Sequence, residues 1–219
     1  MVLVPFAEVW RMRPLALAAV AVTGVLAGGF VGATTNAVNG LVSPLYFVTI
    51  LHWHNVENVW RAGIAQGAFE GLLFGVFFSL AFTASTGIIT GCACTYRFAL
   101  KHLLGIVAAI YVSWALGGAA GLGLASLSPE FYRRTFVGVP QDFASMLGYA
   151  WVGGSIWGAE LGGLVWVILG LIVMRSNWRR HLGDAKMPLK TPGDPRCEGA
   201  ITSLPASEFS IRRGSDTAN

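Results

Sequence analysis

The chain has 219 residues, of which 54% are apolar and 12% charged, with a formal net charge of +4 and a mean hydropathy of +0.61. Soluble domains carry about 25% charge, so half that share leaves a water-facing surface uncovered and excludes a soluble globule. The apolar content excludes disorder as the main state, and what remains is an all-α, polytopic membrane protein whose first partner is the lipid bilayer.

Charge-free runs mark the spans. No Asp, Glu, Lys or Arg occurs in the 43 residues between Arg13 and Glu57, the 26 between Glu70 and Arg97, or the 28 between Lys101 and Glu130. A helix crossing the ~30 Å hydrocarbon layer needs ~20 mostly apolar residues. Backbone in lipid must satisfy its own hydrogen bonds, and these runs far exceed a barrel strand of ~10 residues, so helices are expected. Four fit: about 15–35, 60–82, 102–124 and 149–174. Residues 1–14 precede them as a short N-terminus, and 15–175 form the four-helix domain.

The first span carries Gly24, Gly28 and Gly32 at every fourth position. Arg11 and Arg13 ahead of an apolar run, with Val31-Gly32-Ala33 beyond it, are also the plan of a secretory signal peptide. The apolar and small-residue patterns both continue through Thr35, which favours a retained span. The stretch Asn36-Ala37-Val38-Asn39-Gly40-Leu41-Val42-Ser43-Pro44 that follows is distinctive but specifies no chemistry by itself.

The first long loop holds His52, His54 and Glu57. Imidazole and carboxylate suit zinc or copper, and an interfacial polar loop is the simpler reading. The second span carries Gly63, Gly67, Gly71 and Gly75, and inside it Glu70 with Gln66 one turn before. Cys92, Cys94 and His102 come next; with Cys197 in the tail the cysteines number three, too few for a closed structural thiolate site. The third span repeats small residues at Ala109, Ser113, Gly117, Gly121 and Ala125, and the fourth at Gly154, Gly158 and Gly162 around Glu160. Helix association in lipid rests on close backbone approach, so these stripes are expected to be packing faces, within the chain or against a second subunit.

Residues 176–219 hold four of the nine prolines and twelve of the 26 charged residues, and read as a disordered basic tail. Twelve of the fifteen Lys and Arg fall at the N-terminus, in the loop holding Arg97 and Lys101, or from Arg175 onward; Arg61, Arg133 and Arg134 fall on the other side. The positive-inside rule then places both termini in the cytoplasm, as expected for a multi-pass protein of the cell membrane.

Ser43-Pro44-Leu45-Tyr46-Phe47 resembles Ser128-Pro129-Glu130-Phe131-Tyr132. Trp60, Gly63, Gly67, Ala68 and Gly71 match Trp151, Gly154, Gly158, Ala159 and Gly162 at identical spacing. Two parallel two-helix repeats are therefore expected, at about 15–92 and 101–175, related by an axis along the membrane normal.

Glu70 and Glu160 are the candidate ion or proton site, with Gln66 in support. Intramembrane acids are expensive, and burial favours the protonated form. The rival reading is polar glue between helices. In the gap-free alignment Phe69, not Glu70, matches Glu160. Walker, Gly-x-Ser-x-Gly and His-Glu-x-x-His patterns are missing, and no histidine lies at mid-depth, so neither an enzyme nor a cofactor is expected. Nucleic acid is not an expected partner, because the positive charge follows topology. The leading expectation is a homo-oligomeric proton or cation channel or transporter; the alternative is a non-catalytic structural or assembly subunit of a membrane complex. An outer-loop metal sensor is the weakest of the three.

Overall fold

The computed structural model describes residues 14–185, and side chains through residue 182. The described chain is all-helical: α1 (Pro14–Val42), α2 (Pro44–Ile50), α3 (Val59–Thr90), α4 (Tyr96–Leu127), α5 (Pro129–Thr135) and α6 (Phe143–Ala185). The four long helices are long and apolar enough to cross a membrane. The short helices α2 and α5 lie at one end, where Tyr46 of α2 and Tyr132 of α5 pack in one cluster with Tyr149 of α6, the Tyr46 and Tyr149 rings 4.9 Å apart.

Local chemistry sets the helix ends. Proline lacks the N–H that a continuing helix needs and pushes the residue before it out of helical geometry. Ser43 accordingly sits at φ −150°, ψ 87° ahead of Pro44, and Ser128 at φ −143°, ψ 73° ahead of Pro129. Each proline then opens a short helix, a position where its missing donor costs nothing. Asn58 caps α3 by accepting from the Arg61 N–H at 2.9 Å, and Gly91 ends it in the left-handed region, followed by Cys92 at φ 61°. Thr95 caps α4 through the Phe98 N–H. Asp142 caps α6 by accepting from the Ser145 N–H at 2.8 Å, and these backbone donors hold its carboxyl below the ordinary range.

These caps correct the expected boundaries. α1 runs seven residues past Thr35, and straight through Val31-Gly32-Ala33. α3 runs eight past Phe82, and α6 continues to Ala185, so 176–185 of the expected tail are helical. A 29-residue helix is ~44 Å long at 1.5 Å per residue, more than the ~30 Å hydrocarbon layer. Apolar runs report the lipid; caps report the helix. Residues 1–13 and 186–219 lie outside the described chain.

The long helices pack as two close pairs. In the first, a Cβ placed on Gly28 would fall on the carbonyl oxygen of Gly71, and one on Gly32 on that of Gly67; the reciprocal clashes occur from Gly71 and Gly67. Gly75 backs onto Val25 and Gly24 onto Ser79. In the second pair, Gly117 and Gly154 obstruct each other in the same way, Gly121 meets the Ala150 carbonyl, Gly158 that of Ser113, and Gly162 the Ser113 side chain. Gly63 differs, its nearest neighbour being the Phe47 ring at 3.8 Å. Both stripes in each pair are consumed inside the chain.

Side chains join the pairs. Tyr96 and Tyr111 of α4 hydrogen-bond Thr23 and Thr34 of α1. Ser155 of α6 donates to Asn39 of α1 at 3.0 Å. A core of Val20, Phe82, Ala99, Leu103, Val167 and Met174 closes the end away from α2 and α5. A smaller core of Ala125, Tyr132, Met146, Tyr149 and Ala150 closes the other.

Candidate functional site

Between the two pairs lies a cavity of about 190 Å³. Its walls come from all four long helices, and both intramembrane acids line it. The α1–α3 contact fixes Glu70: with Gly67 and Gly71 pressed on α1, the residue between them on the next face of the helix is turned toward the cavity. Glu160 is set differently: two residues from both Gly158 and Gly162, which press on α4, it lies about 200° round α6 from that contact and lines the cavity from there. The carboxylates interact electrostatically across the space. Both side chains are exposed in the isolated chain, so the cavity has an open side.

The two acids differ in their support. Gln66 donates its amide to Glu70 at 2.7 Å, one turn away. Among the described residues Glu160 has no hydrogen-bond donor or ion-pair partner, and no Lys, Arg or His lines the cavity. Tyr46 feels Glu160 from the α2 side: burial raises its phenol above the ordinary value, and the Glu160 charge raises it further. Burial, and then Tyr46, push Tyr132 up to about 12.

The rest of the wall is largely apolar. On α3, Phe74, Phe78 and Phe82 follow Glu70 at four-residue intervals and all line the cavity. Trp114 of α4 and Asn39 of α1 line it as well. Asn39 is 0% exposed; its oxygen accepts from Ser155, while its Nδ2 has no partner. The Trp114 Nε1 is also buried without one. Neither these two donors nor the phenylalanine ladder follow from the glycine spacing. The ladder was visible as an i, i+4 series starting at Glu70, and the asparagines as amides inside an apolar helix.

The loop residues are arranged otherwise. The rings of His52 and His54 stand 6.3 Å apart and nearly perpendicular, with His52 at φ 56°. Among the described residues no three His, Cys, Asp or Glu side chains gather as a metal site, and this includes His52, His54 and Glu57. Cys92 and Cys94 are free thiols, Cys94 buried. His102 is held structurally: its Nδ1 lies 2.9 Å from the Phe98 carbonyl oxygen and its Nε2 3.2 Å from the Asn177 amide.

The glycine contacts also set a register. Gly32 and Gly117 each stand eleven residues before their Ser-Pro step, yet Gly32 faces Gly67 and Gly117 faces Gly154. Sequence spacing instead pairs Gly67 with Gly158, so the second helix pair is offset by four residues, about one turn. Glu70 and Glu160 are therefore not equivalent positions of the two contacts.

Compared with protein families, curated proteins and solved structures, the chain has no match.

Proposed function

We propose that this integral membrane protein passes or exchanges a proton or small cation at Glu70 and Glu160. The observation that carries the reading is that both carboxylates line one cavity whose lining holds no basic residue. Two carboxylates in a poorly polarisable space repel each other and are costly to ionise together. A proton or a cation relieves both costs, and its exchange is the chemistry such a pair supports. No bond-making step or cofactor enters this reading.

The remaining parts rest on separate support. The charge asymmetry favours both termini in the cytoplasm of a cell-membrane protein. The matching order of long, short and long helices, each broken at Ser-Pro, favours two parallel repeats. The open side of the cavity favours a homo-oligomer, in which a second copy would shield carboxylates that otherwise face lipid.

The test is flux in liposomes. Glu70→Gln keeps the shape and most hydrogen bonding but removes the titratable proton. A clear fall in proton or cation flux with unchanged folding is the expected result. If Glu70 is only interhelical glue, Gln is silent and Leu, which strands Gln66, is the harmful change. Flux equal to wild type in Glu70→Gln would falsify the ion-site reading and leave a packing subunit of a larger complex.

A further inference from the structure

We infer that the cavity takes a hydrophobic organic cation, an amine or quaternary ammonium carrying about one ring's worth of hydrocarbon. The inference rests on the ion-site reading above and names its substrate class. The wall supplies two chemistries side by side. Glu70 and Glu160 supply negative charge; Phe74, Phe78, Phe82 and Trp114 supply ring surface. Hard inorganic cations are held by oxygen ligands when stripped of water, and the ring and aliphatic side chains that outnumber the polar ones on this wall supply none. An organic cation brings its own hydrocarbon, loses little hydration, and is attracted both to carboxylate and to ring faces.

Size agrees. At about 190 Å³ the space is below the ~300–1,000 Å³ of sites for drug-sized ligands, and suits a single ring with a small charged head.

The probe is benzyltrimethylammonium, titrated calorimetrically into the full-length protein in lipid nanodiscs, with neopentylbenzene as its uncharged isostere and potassium chloride as the inorganic control. Saturable binding of the ammonium is expected, not displaced by neopentylbenzene or potassium. Glu160→Gln and Glu70→Gln should each weaken it about tenfold or more, and Phe78→Ala several-fold, the scale of a lost desolvated cation–ring contact. The comparison of charged and neutral probes on unaltered protein needs no variant, so a folding defect cannot mask the answer. Equal binding of the two probes, no binding of either, or an ammonium affinity indifferent to both Gln changes overturns the substrate class. Proton and potassium flux measured on the same preparation separates the two readings. Glu70-dependent flux without ammonium binding leaves the ion site standing and removes the organic cation; absence of both removes both.

Discussion

The two helix pairs are built from the same parts and differ in what they leave unsatisfied. In α1–α3 glycine meets glycine across the contact, and the acid beside it is already held by Gln66. In α4–α6 a serine stands where the first pair has Gly28: Ser113 is fifteen residues before its Ser-Pro step, as Gly28 is, and its Oγ accepts from the Trp166 Nε1 at 2.9 Å. The acid of this pair, Glu160, has no hydrogen-bond donor among the described residues. One pair therefore presents a carboxylate braced by its own helix, and the other a carboxylate whose electrostatic neighbours among the described residues are a second acid and the half-buried Tyr46 phenol. The lesson is a division of labour. Close backbone contact is common to both pairs, and the polar asymmetry sits on top of it.

The largest effect should come from filling the shared contact. Gly32→Leu and Gly154→Leu each drive a side chain into the facing backbone. Overpacking typically costs about 1–3 kcal/mol, and a backbone obstacle puts these at the upper end. Gly63→Ala, which meets only the Phe47 ring at van der Waals distance, should leave the thermal midpoint in detergent nearly unchanged. Similar losses at all three positions would show that the contacts are not what distinguishes them.

The acids should then separate the pairs functionally. Glu160→Gln is expected to abolish flux in liposomes, and Glu70→Gln to reduce it, because Glu70 already has a donor that tolerates an amide. The reverse order of severity would assign the exchanging role to the braced acid and break the comparison.

Alkaline pH should test the short-helix end. The Tyr132 phenol is raised from 10.0 to about 12, first by burial. A raised folded value means the folded state is favoured while the phenol stays protonated. That contribution is complete below pH ~10 and is lost as the pH climbs toward 12. Unfolding midpoints should fall across that window, and Tyr132→Phe should flatten the fall. An unchanged slope in the variant would assign the alkaline sensitivity elsewhere.

Smaller effects remain. Ser113→Ala removes the bond to Trp166 and should cost about 0.6 kcal/mol, the average for interhelical side-chain hydrogen bonds in lipid. Gly123→Ala meets nothing within 4 Å and should be neutral, or stabilise by at most ~1 kcal/mol through helix propensity.

Much of the architecture was legible because lipid imposes simple rules. Charge-poor apolar runs placed all four spans, while the Ser43-Pro44 and Ser128-Pro129 steps, read in the sequence only as a repeat, mark where two helices stop. The glycine spacing picked out the faces that meet, with Gly63 the exception because Phe47 from α2 fills the space beside it. Helix ends past the hydrocarbon were not legible, since Gly91, Thr95 and Asp142 set them and hydropathy does not register a cap. The one-turn offset between the pairs was hidden for a related reason: every fourth residue is small, so a stripe looks the same when shifted by four. The cavity wall was half visible. Glu70 and Glu160 stood out as charges, while the phenylalanines after Glu70 and the amide of Asn39 were visible as residues with nothing in the sequence to join them to the acids. That they converge depends on how four helices are rotated, which no single helix encodes.

The glycine contacts have a consequence for how the protein is best interrogated. An alanine scan works by subtraction, deleting side-chain atoms and reading what their loss does. At Gly28, Gly32, Gly67, Gly71, Gly117 and Gly154 there is nothing to delete, and alanine is an insertion. Such a scan would report large defects here with the opposite physical meaning from defects elsewhere, overcrowding in place of lost contact. The same logic makes drift at these positions one-sided, because every replacement for glycine is larger. Repair should then come from the facing helix, at the residue whose backbone was struck, as a paired change across the contact.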